Sequence, residues 1–103
     1  MTSKVLIVVP TYNESESIQA LLRRIGAVRS IFSSQYDIDV LIVDDGSTDG
    51  TIDIAKSIGT IGSYLNFLLR TSKQGLGSAY RAGYAWALAN NYERIIQMDA
   101  DGS

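Results

Sequence analysis

Two aspartates, Asp99 and Asp101, stand one residue apart at the end of an apolar run, in "RIIQMDADGS". On an extended strand, residues two apart point to the same side, with Cα atoms roughly 6–7 Å apart. Two carboxylates so placed repel unless a cation sits between them. A hard divalent ion such as Mg2+ or Mn2+ takes one or two carboxylates, and phosphate oxygens and waters complete its shell. The plainer alternative is a solvated turn in which Asp99 or Asp101 caps a following helix. A second acidic pair, Asp44 and Asp45, follows "VLIV" and opens "DDGSTDG". Gly46 permits a tight turn there, and Ser47, Thr48 or Asp49 can cap the helix that follows. An acidic cap favoured by the helix dipole accounts for Asp49 but does not need both Asp44 and Asp45. A carboxylate at such an edge can accept from ribose hydroxyls or a base N–H.

Two further loops carry unusual polar residues. In "PTYNES", Pro10 ends an apolar run and Tyr12 offers a flat face and a hydroxyl. Asn13 reads equally as a helix cap, and Glu14 as an acid in a first helical turn. In "TSKQGLGS", Gly75 and Gly77 let the backbone approach a ligand and Lys73 brings positive charge. Free amides at a helix start suit a diphosphate, while the plainer reading is a glycine-rich left-handed turn. Gly75-Leu76-Gly77 imitates a dinucleotide fingerprint, but Tyr80 stands where the third glycine belongs, and the unit is the third rather than the first. A walker-type phosphate loop is absent.

The elements that must position these loops alternate. Val5–Val9, Ile38–Val43, Leu65–Leu69 and Arg94–Met98 are short, nearly continuous apolar runs, as expected of strands buried on both faces of a parallel sheet. Between them lie helical stretches, roughly 14–30, 48–58 and 77–90. Ile18, Leu21, Leu22, Ile25 and Val28 form a stripe on the first. Ile52, Ala55 and Ile58 form a weaker one on the second. Ala79, Tyr80, Gly83, Tyr84, Ala87 and Leu88 lie on the third. "SIGTIGSY", at 57–64, reads as a glycine-punctuated loop. The fold class expected is α/β, a Rossmann-like, doubly wound, mainly parallel sheet. Ligands of such sheets bind beyond the carboxyl ends of the strands, and all four polar clusters fall at that edge.

Composition narrows the chemistry. The 103 residues hold one small domain at most. Lys and Arg number 9 against 11 Asp and Glu, a net charge of −2, which argues against a nucleic-acid partner. No cysteine is present, so disulfides and thiolate metal sites are excluded. No histidine is present, so an imidazole base and a Ser-His-Asp triad are excluded. No apolar run approaches the ~20 residues of a membrane span, and no signal peptide is visible. The chain is expected to be intracellular, and soluble or peripherally attached to a membrane.

"VVPTYNES", "VLIVDDGSTDGT", "RTSKQGLGSAYRAGYAWAL" and "IIQMDADGS", in that order, resemble the amino-terminal half of an inverting glycosyltransferase with the A-type fold. Within it they look most like the polyprenol (dolichol) phosphate mannose synthases. The resemblance implies that Pro10, Tyr12 and Glu14 form the first nucleotide-contacting loop, and that Val43 and Asp45 hold base and ribose. It implies that Asp99, Ala100 and Asp101 bind the donor and Mg2+ or Mn2+, with Lys73 a further donor contact. Asp99 and Asp101 would be the catalytic pair, holding metal and donor rather than moving protons. The implied reaction is mannose transfer from GDP-mannose to a polyprenol phosphate, at the cytoplasmic face of a membrane in the full-length protein. The alternatives are a relative using a UDP-sugar and a non-catalytic nucleotide-binding module. Residues 1–103 then read as a donor-binding part cut short at its C-terminus, and self-association of the truncated chain is expected.

Overall fold

Four runs of β-branched and leucine residues pair side by side in the computed structural model, which describes residues 2–58, 64–71 and 74–100. The elements are β1 (Ser3–Thr11), α1 (Ile18–Ile31), β2 (Tyr36–Asp44), α2 (Thr51–Ile58), β3 (Leu65–Leu69), α3 (Leu76–Ala89) and β4 (Arg94–Gln97). The strand order is β3-β2-β1-β4, and every pairing is parallel. The expected strands are all present, β1 and β2 being longer than their apolar runs. Residues 59–63, in the expected glycine-punctuated loop, lie outside the described residues.

Alternation along each strand divides two cores. Val5, Ile7 and Val9 of β1 and Ile38, Val40 and Ile42 of β2 pack on Ile18, Leu21, Leu22 and Ile25 of α1 and Ala55 of α2. Leu6, Val8, Leu41 and Val43 face the other way, against Ala79 and Ala87 of α3. Each fully buried aliphatic side chain contributes about 1.5–3 kcal/mol over its exposed state. The chain therefore winds to one side through α1 and α2. It then crosses the opposite face through α3 to place β4 beside β1. The expected doubly wound sheet is present, with the strand order reversing between β1 and β4.

Register lines up the edge that matters. Thr11 pairs with Asp44, and Asp44 with Leu69, so the ends of β1, β2 and β3 form one row. β4 stops lower, with Gln97 beside Val8, and the Met98 N–H continues the ladder to the Val8 carbonyl. α3 reaches the sheet through small residues. A Cβ on Gly83 would lie 2.5 Å from Val8 Cγ1, so only glycine permits this approach.

Two expected helix starts are corrected. α1 begins at Ile18, not at Glu14, because residues 14–17 form a turn whose Glu14 carbonyl accepts from the Ser17 and Ile18 amides. Its cap position, Ser17, makes no side-chain bond. Asn13 and Ser15 do not cap α1, since both bond to residues 47–49 instead. α2 begins at Thr51, and there the expected cap holds: Asp49 Oδ1 accepts from the Thr51 amide and hydroxyl.

Candidate functional site

Asp44 and Asp45 separate into two jobs. Asp44 is buried, and its Oδ1 accepts from the hydroxyls of Thr11 and Ser47, while Oδ2 accepts from the amides of Gly46 and Ser47. Four donors saturate it, so it shapes the turn after β2 and staples that turn to the end of β1. Gly46 completes the turn at φ 85°, a conformation that favours glycine. Asp45 points to the opposite side, toward α3. Arg70 grips it twice, Nε to Oδ1 at 2.6 Å and Nη2 to Oδ2 at 3.0 Å, and the Gln74 amide also donates to Oδ2. The same guanidinium donates through Nη1 to the Ser78 carbonyl and hydroxyl. Arg70 thus ties the end of β3 to Asp45 and to the start of α3.

A second set of bonds joins the loops after β1 and β2. The Asn13 amide donates to Ser47 Oγ, and the Thr48 amide returns a bond to Asn13 Oδ1. The Glu14 amide donates to Thr51 Oγ1, and the Ser15 amide to Asp49 Oδ2. Asn13 holds φ 55°, a left-handed conformation that asparagine tolerates better than most residues. Tyr12 and Glu14 are presented on either side of this clamp.

Hydrogen bonds, led by that of the Thr51 hydroxyl, hold the Asp49 carboxyl at about 2, below its ordinary 3.8. A carboxyl whose folded pKa is depressed stabilises the fold above its unfolded pKa, and that contribution fades as pH falls. For Asp49 the window runs from about pH 4 down to about pH 2. We expect Asp49→Asn to flatten the acid limb of the melting-temperature profile across that window. Superimposable acid limbs for the two proteins would contradict this linkage.

Three of the four polar loops share one cavity of about 220 Å3, lined by Pro10, Tyr12 and Glu14, by Asp45, and by Gly75, Leu76 and Ala79 at the start of α3. Tyr12 is exposed at its mouth. The fourth loop opens onto an adjoining depression of Leu76, Tyr80, Gln97 and Asp99, so Leu76 borders both. There the Tyr80 hydroxyl donates to Asp99 Oδ1 at 2.8 Å. Burial first, and then the Asp99 carboxylate, push the Tyr80 hydroxyl up to about 12, so it is a donor at neutral pH.

Two expected site residues sit away from the cavity surface. Val43 is fully buried beneath Gly83, in the core on the α3 side. Ala100 is buried in the opposite core, beside Met98. Lys73 and Asp101 lie outside the described residues. Among the described residues no group of three or more acidic, His or Cys side chains gathers. Asp99, with an oxygen-only side chain and no donor to Oδ2 among the described residues, suits a hard cation that takes its remaining ligands from phosphate and water. From sequence Arg70 had no assigned role, and Tyr80 stood only as a residue of the third helix in the place of a fingerprint glycine. The signal for Arg70 was its position: a cation directly after β3, at the edge where the acidic loops gather.

A parallel, doubly wound sheet with an open cavity over its carboxyl edge and Asp99 in the depression beside it is the arrangement of the A-type fold of glycosyltransferases. The chain belongs to glycosyl transferase family 2, whose sequence pattern matches residues 6–103. It is 43% identical over 100 residues to an undecaprenyl-phosphate mannosyltransferase of Micrococcus luteus, covering 97% of this chain and 39% of that protein. It is 38% identical over 103 residues to a polyprenol monophosphomannose synthase of Mycolicibacterium smegmatis, covering 99% of this chain and 37% of that one. The chain therefore spans well under half the length of these curated relatives. Among solved structures it is similar to a mannosyltransferase from Pyrobaculum calidifontis in complex with GDP-Man and Mn2+. The TM-score is 0.72 and the identity 27%, over 98% of this chain and 28% of that one.

Proposed function

We propose that residues 1–103 are the donor-binding part of a mannosyltransferase that moves mannose from GDP-mannose to a polyprenol phosphate. Carrying this reading is the convergence of three loops on one cavity, with Asp99 in the depression adjoining it, in a chain whose relatives include polyprenol-phosphate mannosyltransferases. Tyr12 offers a face for the base, and Glu14 and Asp45 offer acceptors for its N–H groups or for ribose hydroxyls. α3 begins at the cavity wall, so the positive end of its dipole favours the diphosphate. Asp99, with Asp101 by resemblance, would hold Mg2+ or Mn2+. When bound, that ion neutralises charge on the leaving nucleoside diphosphate. The acceptor phosphate is already an anion at neutral pH, which suits a chain without histidine. Among the described residues no helix is long and apolar enough to cross a membrane. For the whole protein the reading places the work at the cytoplasmic face of a membrane, where a polyprenol phosphate acceptor would lie.

The test is thermal. GDP with Mn2+ at about a hundred times Kd adds about 2.7 kcal/mol to the folded state. For a domain this small, that raises the melting temperature by about 10 °C. Asp101→Ala should erase the increment due to Mn2+ and keep part of that due to GDP. A folded chain indifferent to GDP and Mn2+ would sink the reading. A larger shift with UDP than with GDP would redirect it to a UDP-sugar donor. Nucleotide binding without any mannosyl transfer by the whole protein would leave a non-catalytic module.

A further inference from the structure

We propose that Tyr80 is a positioning residue for the donor-and-metal corner, its hydroxyl holding one oxygen of Asp99 so that only the other is offered to a cation. The inference rests on the reading of Asp99 as a metal and donor ligand, and adds how that ligand is presented and which ions it prefers.

Asp99 is fixed from two directions. Met98 and Ala100, its neighbours in sequence, pack into the core on the α1 side, so the Asp99 side chain emerges on the α3 side. There Tyr80 Oη meets Oδ1 at 2.8 Å, while among the described residues nothing donates to Oδ2. Tyr80 is itself held in place. It lies one turn after Leu76, which borders the cavity of Tyr12 and Asp45, and one turn before Gly83, which seats α3 directly on Val8. The helix cannot slide without a clash, so the reach of the phenol to β4 is set by the packing of α3.

A carboxylate with one oxygen engaged by a donor is pre-oriented and binds a metal through the other oxygen alone. Such one-point binding suits Mg2+ and Mn2+, which take octahedral shells completed by phosphate and water. Ca2+ is larger, accepts two-point carboxylates and higher coordination numbers, and gains less from this arrangement. Tyr80 therefore contributes both affinity for the small ions and preference over Ca2+. Loss of such an outer partner typically costs about 10–100-fold in metal affinity.

The experiment compares the chain with its Tyr80→Phe variant, each saturated with GDP. Mn2+ is titrated and the free ion read by electron paramagnetic resonance, and Ca2+ is then added as competitor. We expect Mn2+ to bind about tenfold more weakly to the variant, with a smaller loss for Ca2+, so the preference narrows. The metal-free melting temperature should stay unchanged, since phenylalanine keeps the ring. Mn2+ affinity within about twofold of the parent, or equal losses for both ions, would overturn the proposal. A parent chain that binds GDP but takes up no Mn2+ would overturn the metal reading of Asp99 itself. Should the variant fail to fold, Mg2+ with GDP is added to the parent chain carrying 13C-labelled tyrosine. A shift of the Tyr80 ring signal supports the proposal, and a static signal overturns it.

Discussion

Replacing Arg70 with alanine will cost the fold about 3 kcal/mol. Arg70 and Asp45 are both largely buried, with side-chain exposures of 12% and 6%. Stripping one partner from a buried ion pair leaves the other charge without compensation, and typically costs about 3–5 kcal/mol. The lower end applies because the pair borders an open cavity, where water can reach the abandoned carboxylate. Total stability for a domain of this kind is about 5–15 kcal/mol, so the loss is a large fraction of it. Urea unfolding measures it directly: the midpoint should fall while the slope stays the same. Arg70→Lys should recover only part of the loss. An ammonium cannot make the two-point grip on Asp45 and also reach the Ser78 carbonyl and hydroxyl as the guanidinium does. Equal midpoints for the lysine variant and the parent would show that charge alone matters and the geometry does not.

The same pair bears on ligand binding. Asp45 lines the cavity, yet both its oxygens already accept from Arg70, and Oδ2 from Gln74 as well. A base or ribose would meet a carboxylate that these donors hold in place. Arg70→Ala should therefore weaken GDP binding even in the fraction of molecules that remain folded, because Asp45 and the start of α3 lose their common anchor.

Which features were legible in the sequence follows from how local their causes are. Strands buried on both faces are continuous apolar runs, so β1 and β2 could be read directly; β3 and β4 are apolar runs too, but as edge strands they are only partly buried, against expectation. Parallel topology forces the loops after them to one edge, so the gathering of Pro10, Tyr12, Glu14 and Asp45 could be read as well. The caps of α1 were misjudged because Asn13 and Ser15 bond to residues 34 or 35 positions away, which no local cap pattern registers. Val43 and Asp45 share the α3 side of β2, but Val43 lies one pleat further down, under Gly83. The alternation of the strand gives the side, and only the seating of the helix tells which of the two reaches the cavity. Arg70 and Tyr80 escaped for a related reason: the pairing of β2 with β3 brings Asp45 to Arg70, and the crossover of α3 brings Asp99 to Tyr80, neither by spacing.

That seating makes Gly83 the second position of large effect. A Cβ there would fall 2.5 Å from Val8 Cγ1 and 3.3 Å from Val8 Cγ2, with Val43 Cγ2 at 3.5 Å. Val8 is fully buried and β-branched, so it has no open space to turn into. Alanine in place of glycine gains about 1 kcal/mol in helix propensity, while overpacking a filled core costs about 1–3 kcal/mol. We expect Gly83→Ala to be destabilising on balance by about 1 kcal/mol, and Gly83→Val, with two further methyls and a poorer propensity, by about 3 kcal/mol or more. Pairing Gly83→Ala with Val8→Ala separates the causes. If the clash is the cause, the double variant loses much less than the two single losses added together, because each change makes room for the other. Simple additivity would mean that the helix accommodates the methyl without touching Val8. The outward displacement of α3 also carries a signature at the site. Leu76 and Tyr80 move with the helix, so Gly83→Ala should loosen the Tyr80–Asp99 bond and weaken Mn2+ binding, although Gly83 lies on the sheet-facing side of α3 and lines neither cavity.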